Sequence, residues 1–137
     1  MADRTQLENF TRSLFKARDA NNAEATMAYF HGECIFQIKG GRSLSPFTHK
    51  VLGKQALSKL MESLAATWDF SGVRNNQILI DGDTVVVRRE GGVRHVPSNT
   101  PVEMEWVDIF TVKDGLIVDF AEFVDTLLIA EVTGAAK

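Results

Sequence analysis

The chain has 137 residues, 45% of them hydrophobic and nine of them Phe, which is the size of one domain spanning 1–137 with a single core. Fifteen Lys and Arg against eighteen Asp and Glu leave a net charge of −3 with the basic residues scattered, so no nucleic-acid footprint is visible. Charges in the N-terminal "MADRTQLENF" and the lack of any stretch near the roughly 20 apolar residues of a membrane span exclude a signal peptide and a membrane anchor, so a cytoplasmic location is expected.

Thr5 and Glu8 have capping-box spacing, and Leu7, Phe10, Leu14 and Phe15 share one helical face, which predicts a first helix ending near Asn21. Asn22 suits the N-cap of a shorter second helix that turns Met27 and Phe30 inward and stops at Gly32, with His31 at its end. Glu33 to Ile38 reads as a strand, and Cys34, the only cysteine, as a small buried residue that rules out an internal disulfide. The loop "KGGRSLSPFTHKVLG" follows, placing His49 and Lys50 where a lid would lie. A third helix then sets Leu57, Leu60, Met61 and Leu64 on one side and ends before Trp68.

Strand signals occupy the rest: Trp68 to Ile80, Thr84 to His95, Val102 to Val112 and Leu116 to Asp125. Asp81-Gly82 and Asp114-Gly115 mark tight hairpin turns, and Val96 to Pro101 a looser one. Helices first and an antiparallel meander afterwards give an α+β class: a curled antiparallel sheet wrapped around three N-terminal helices, cone-shaped, with a pocket at its wide end. Gly53-Lys54 lacks the rest of a phosphate-binding loop, and His31, His49 and His95 show no ligand spacing, so neither a cofactor nor a metal is expected.

In "VEMEWVDIFTV" the core-facing set is Val102, Met104, Trp106, Asp108, Phe110 and Val112, and Asp108 is its only charged member. A three-residue Lys113-Asp114-Gly115 loop with a bulge at Gly115 would set Asp108 opposite Phe120 and Trp106 opposite Glu122, leaving two carboxyls on the apolar face. A buried acid of this kind either finds a cation or takes up a proton. The first outcome is structural, with Arg88, Arg89 and Arg94 at hand on the neighbouring strand. The second supplies a proton donor or acceptor for catalysis.

Three helices and a meander ending in "EWVDIFTVKDGLIVDFAEFVDTLLIAEV" resemble the SnoaL-like, ketosteroid isomerase-related branch of the nuclear transport factor 2-like superfamily, whose cone is also called cystatin-like. The resemblance puts Asp108 where ketosteroid isomerase-like enzymes keep a protonated Asp. Leu14 stands at the position of their oxyanion tyrosine and Ile38, or Gln37, at that of their general base, so steroid isomerisation itself is not expected. Glu122 aligns with an Asp of the related epoxide hydrolases, but "VVVRREGG" lacks their Arg-x-Asp. SnoaL-like cyclases use one acid, which Asp108 supplies.

The resemblance therefore implies a protein that binds a small apolar molecule and acts without a cofactor as an isomerase, cyclase or hydrolase through Asp108 and Glu122. Met104, Trp106, Phe110 and Phe120 would wall the pocket with Leu14, Tyr29, Ile38, His49 and Val124. The alternative is a non-catalytic dimeric ligand-binding or interaction module. Val107, Ile109, Ile117, Ala121 and Phe123 on the opposite sheet face predict a homodimer through the sheet, unless "DTLLIAEVTG" folds back over them.

Overall fold

A computed structural model describes residues 3–41, 44 and 47–134. Helix α1 (Arg4–Asp19) and the single-turn α2 (Ala23–Met27) lead into strand β1 (Phe30–Ile38). The short β2 (Val51–Leu52), helix α3 (Lys54–Thr67) and strands β3 (Trp68–Asp81), β4 (Thr84–His95), β5 (Thr100–Lys113) and β6 (Leu116–Phe123) follow, and α4 (Thr126–Thr133) closes the chain. The expected element order holds, with β2 and α4 added. Asp3, not Thr5, caps α1: its side chain accepts from the Gln6 N–H at 2.8 Å while the Gln6 amide oxygen accepts from the Asp3 N–H at 2.9 Å. His31 lies in β1 instead of at a helix end, its Nδ1 accepting from the Glu33 N–H at 3.0 Å.

The six strands run in the order β2-β1-β6-β5-β4-β3, all antiparallel except β1 beside β6. That parallel pair brings the first strand against the last and completes the curl of the meander. The inner face carries Phe36 and Ile38 of β1, Val85 and Val87 of β4, Met104, Trp106 and Phe110 of β5, and Ile117 and Phe120 of β6. Leu7, Leu14 and Phe15 of α1 and Leu57, Met61 and Leu64 of α3 are buried with them in one core. Phe120 stacks on Phe110 at 5.5 Å and on Phe36 at 5.2 Å, and each such buried ring is worth about 1.5–3 kcal/mol of transfer free energy.

Two departures from ideal pairing shape this sheet. At the β5–β6 hairpin the turn has two residues, Asp114 and Gly115, both at positive φ (53° and 77°), with Lys113 opposite Leu116 and Val112 opposite Ile117. Val118 is then skipped, so that Thr111 faces Asp119. The expected bulge therefore sits in β6, not at Gly115. It buries Ile117 completely, where the alternation had placed it on the outer face.

The second departure is at the far end of the β3–β4 ribbon, where Gly72 faces Gly92 and the register shifts between Asp69 and Gly72. Gly91 there holds φ +144°, and a Cβ on it would come within 2.2 Å of the Gly72 carbonyl oxygen. Only glycine permits that approach, and the bend it allows carries Trp68 and Val93 over the core. Gly91→Ala should lower unfolding free energy by about 3 kcal/mol in urea titrations. A change below about 1 kcal/mol would show that the ribbon tolerates a straighter path.

Candidate functional site

The inner face of β5 delivers Trp106 and Asp108 to the middle of the cone, and Asp108 is 1% exposed. Its cross-strand partner on β6 is Glu122, because the two-residue turn and the Val118 bulge each move the pairing by one residue from the expected Asp108–Phe120 register. Phe120 faces Phe110 instead. Two carboxyl groups thus stand side by side at the closest lateral spacing a sheet offers.

Arginines enter from two other elements. Arg89 of β4 is 2% exposed, its guanidinium 3.9 Å over the Phe15 ring and 5.5 Å from that of Trp106. It grips both oxygens of Asp19 at the end of α1 and donates to Asn75 Oδ1 at 2.8 Å. Its Nε lies 3.8 Å from Asp108 Oδ2 without a hydrogen bond. Arg18 of α1 lies 3.9 Å over Phe70, and neither a hydrogen bond nor an ion pair of its side chain is formed among the described residues.

Burial first, and the charge of Glu122 second, hold the Asp108 carboxyl well above the ordinary carboxylate range, against the pull of Arg89. Burial also raises Glu122, against the pull of the Arg18 and Arg89 charges. Of the two carboxyls, Asp108 is held further toward its protonated form. Burial lowers Arg18 and raises Asp19.

Two adjoining hollows open beside this cluster. The first, of about 20 Å³, is walled by Leu14, Arg18, Phe36, Arg89, Trp106, Asp108, Phe120 and Glu122, among others. The second, of about 30 Å³, lies toward the end of the cone, where Phe47 of the β1–β2 loop and Ile129 of α4 meet Ile38, Trp68, Met104 and Val124. Each has room for a water-sized occupant. Arg18, Leu64, Phe70, Trp106 and Glu122 border both. Asp108 Oδ1, Arg89 Nε and Trp106 Nε1 are buried there without hydrogen-bond partners.

Of the residues singled out in the sequence, Asp108, Leu14 and Phe120 line the first hollow, Ile38, Met104 and Val124 the second, and Trp106 and Glu122 both. Three do not reach either. Phe110 is wholly buried between Phe15 and Phe120, Tyr29 packs edge-on against Phe10 at 5.3 Å, and His49 is exposed on its loop. Arg89 was one of three arginines considered as a partner for Asp108, and Arg18 was missed, although the same signal marks both. Arg18 extends the buried stripe of Leu7, Leu14 and Phe15, and Arg89 follows Val85 and Val87 in alternation. Among the described residues no three His, Cys, Asp or Glu side chains gather as a metal would require. No described helix is long and apolar enough to cross a membrane.

Residues 11–120 match the sequence profile of the SnoaL-like domain. No curated protein matches the chain significantly. A candidate isomerase from Bacillus subtilis superposes with a TM-score of 0.86 at 14% identity, covering 99% of this chain and 98% of that one. An NTF2-like protein from Burkholderia xenovorans LB400 gives 0.76 at 19% identity, covering 96% and 98%. A protein with a ketosteroid isomerase-like fold from Catenulispora acidiphila, in complex with trimethylamine, gives 0.69 at 13%, covering 83% of each chain. At such identities the likeness shows the fold: the nuclear transport factor 2-like cone.

The raised Asp108 makes stability depend on pH with a definite sign. Its neutral form suits the fold, so its contribution is complete below the unfolded value of 3.8 and is lost as pH climbs through the higher folded value. Asp69, lowered to about 2 by the Ser71 N–H and hydroxyl, acts oppositely and only in acid. Melting temperature should fall as pH is raised from about 5 to 9, and Asp108→Asn should flatten that fall. Parallel curves for the two proteins in a thermal scan would show that Asp108 is not the group responsible.

Proposed function

The chain belongs to the SnoaL-like domain family, and from that premise we propose that it binds a small, largely apolar molecule inside the cone and moves a proton on it with the Asp108–Glu122 pair. The observation that carries this reading is the pair itself, two carboxyls directly opposite each other on β5 and β6 in the wall of a hollow. An acid that holds its proton beside a base that lacks one is the arrangement needed to take a proton from carbon next to a carbonyl and return it elsewhere, or to assist ring closure or hydrolysis. Aromatic and aliphatic walls from Phe36, Met104, Trp106 and Phe120 supply affinity and keep the site dry.

The three unpartnered polar atoms support the same reading. A buried donor or acceptor without a partner costs roughly 1–3 kcal/mol, and a ligand oxygen seated among them recovers it. Of the named neighbours, the candidate isomerase and the trimethylamine complex agree with small-molecule binding in this cone.

A dimer through the outer sheet face is proposed alongside, on one observation. Leu79, Val86, Ile109 and Ala121 are successive cross-strand partners on β3, β4, β5 and β6, and Val107 faces Phe123, which is 47% exposed. An apolar row of that length across four strands is better covered by a second copy than by water. Helix α4 does not cover it, since Ile129 points to the second hollow.

Two outcomes follow. After a thermal-shift screen of small carbonyl compounds identifies a binder, Asp108→Asn should retain its affinity within a few-fold and lose about 100-fold or more of any turnover. Equal turnover in both proteins would remove Asp108 from the chemistry. Phe123→Glu should convert the dimer to monomer in sedimentation velocity without lowering ligand affinity. A native protein that sediments as a monomer would remove the interface.

A further inference from the structure

We infer that Arg18 is the oxyanion-stabilising donor of this site. The inference rests on the acid–base reading of Asp108 and Glu122 given above.

Arg18 differs from its neighbour Arg89 in having nothing to hold. The terminal nitrogens of Arg89 are engaged by Asp19 and Asn75, leaving only its Nε unpartnered, so the acid next to Arg18 in sequence is already taken. The Arg18 guanidinium rests on Phe70, borders both hollows, and makes no ion pair or hydrogen bond among the described residues. Cation–π contact with Phe70 fixes the plane of the group without using its N–H donors. Asp108 and Glu122 stand on the same cavity wall, and their charges act on Arg18 without closing on it. The first hollow therefore has Arg18 and both carboxyls in its lining.

For a carbonyl compound bound beside Arg18, the step balances on the residues present. Glu122 takes the proton from the carbon next to the carbonyl, the C–H electron pair becomes the C=C of an enolate, and the carbonyl π pair moves onto oxygen. The negative charge leaves Glu122 and appears on the ligand oxygen beside Arg18, whose preorganised N–H groups stabilise it. Return of the proton from the carboxyl pair to carbon restores the starting charges. Arg18 thus supplies from the last turn of α1 what a hydroxyl at Leu14, one turn earlier, would have supplied.

Two probes test this. 4-Nitrophenol reports oxyanion stabilisation by its colour, and α-hydrogen exchange of cyclopentanone in D₂O, followed by NMR, reports enolisation. The native protein should bind 4-nitrophenol as the coloured phenolate below its solution pKa and accelerate cyclopentanone exchange. Arg18→Met should weaken phenolate binding and slow exchange at least about tenfold each, with Arg18→Lys restoring part of both. Circular dichroism checks that the variants are folded, and the native pH titration stands without them. Colourless binding or none by native protein, or equal phenolate binding by Arg18→Met, overturns the inference. Phenolate binding that depends on Arg18 with no exchange in any variant leaves the oxyanion site standing and removes the acid–base reading.

Discussion

Arg89 and Asp108 are buried among aromatic and aliphatic groups that offer no solvation, so their charges must be met by close partners. An ionised carboxylate or guanidinium loses several kcal/mol on leaving water, and only close partners return it. Arg89 and Asp19 meet that requirement directly, tying the end of α1 to β4. Asp108 is instead pushed toward its neutral form by burial and by the neighbouring Glu122 charge. Arg18 is left with an aromatic face and an empty hollow. The reactive character of the cone arises from what this neutralisation leaves incomplete.

One skipped residue makes the arrangement possible. A two-residue turn alone would pair Asp108 with Ala121 and send Glu122 to the outer face. The bulge at Val118 adds the missing step, returning Glu122 to the inside and seating Phe120 on Phe110. Sheet packing and the carboxyl pair therefore depend on the same irregularity. Neither could be lost without the other.

Much of this was legible in the residues. Turn glycines located the hairpins, alternation put Asp108 inside, and the order of helices and strands pointed to the cone that the SnoaL-like match and the structural neighbours show. What escaped had physical causes. Turn length and bulge position compensate, so the right face for Glu122 came from the wrong pairing, and Ile117 was placed on the wrong side. The pairing of β1 with β6 joins segments far apart in the chain, Phe36 with Phe120 for example, beyond the reach of local pattern. Helix α4 buries only Ala130 fully and has little amphipathic signature, although Asp125 and Gly134 mark its ends.

Trp106 has a consequence of another kind. The chain has two tryptophans, and both border the second hollow, Trp106 with its indole N–H unpartnered and Trp68 4.8 Å from the His95 ring. Indole emission shifts with local polarity and is quenched by nearby proton donors. The protein therefore carries its own fluorophores on the cavity wall, and their emission reports filling, emptying and protonation of the interior without any attached label.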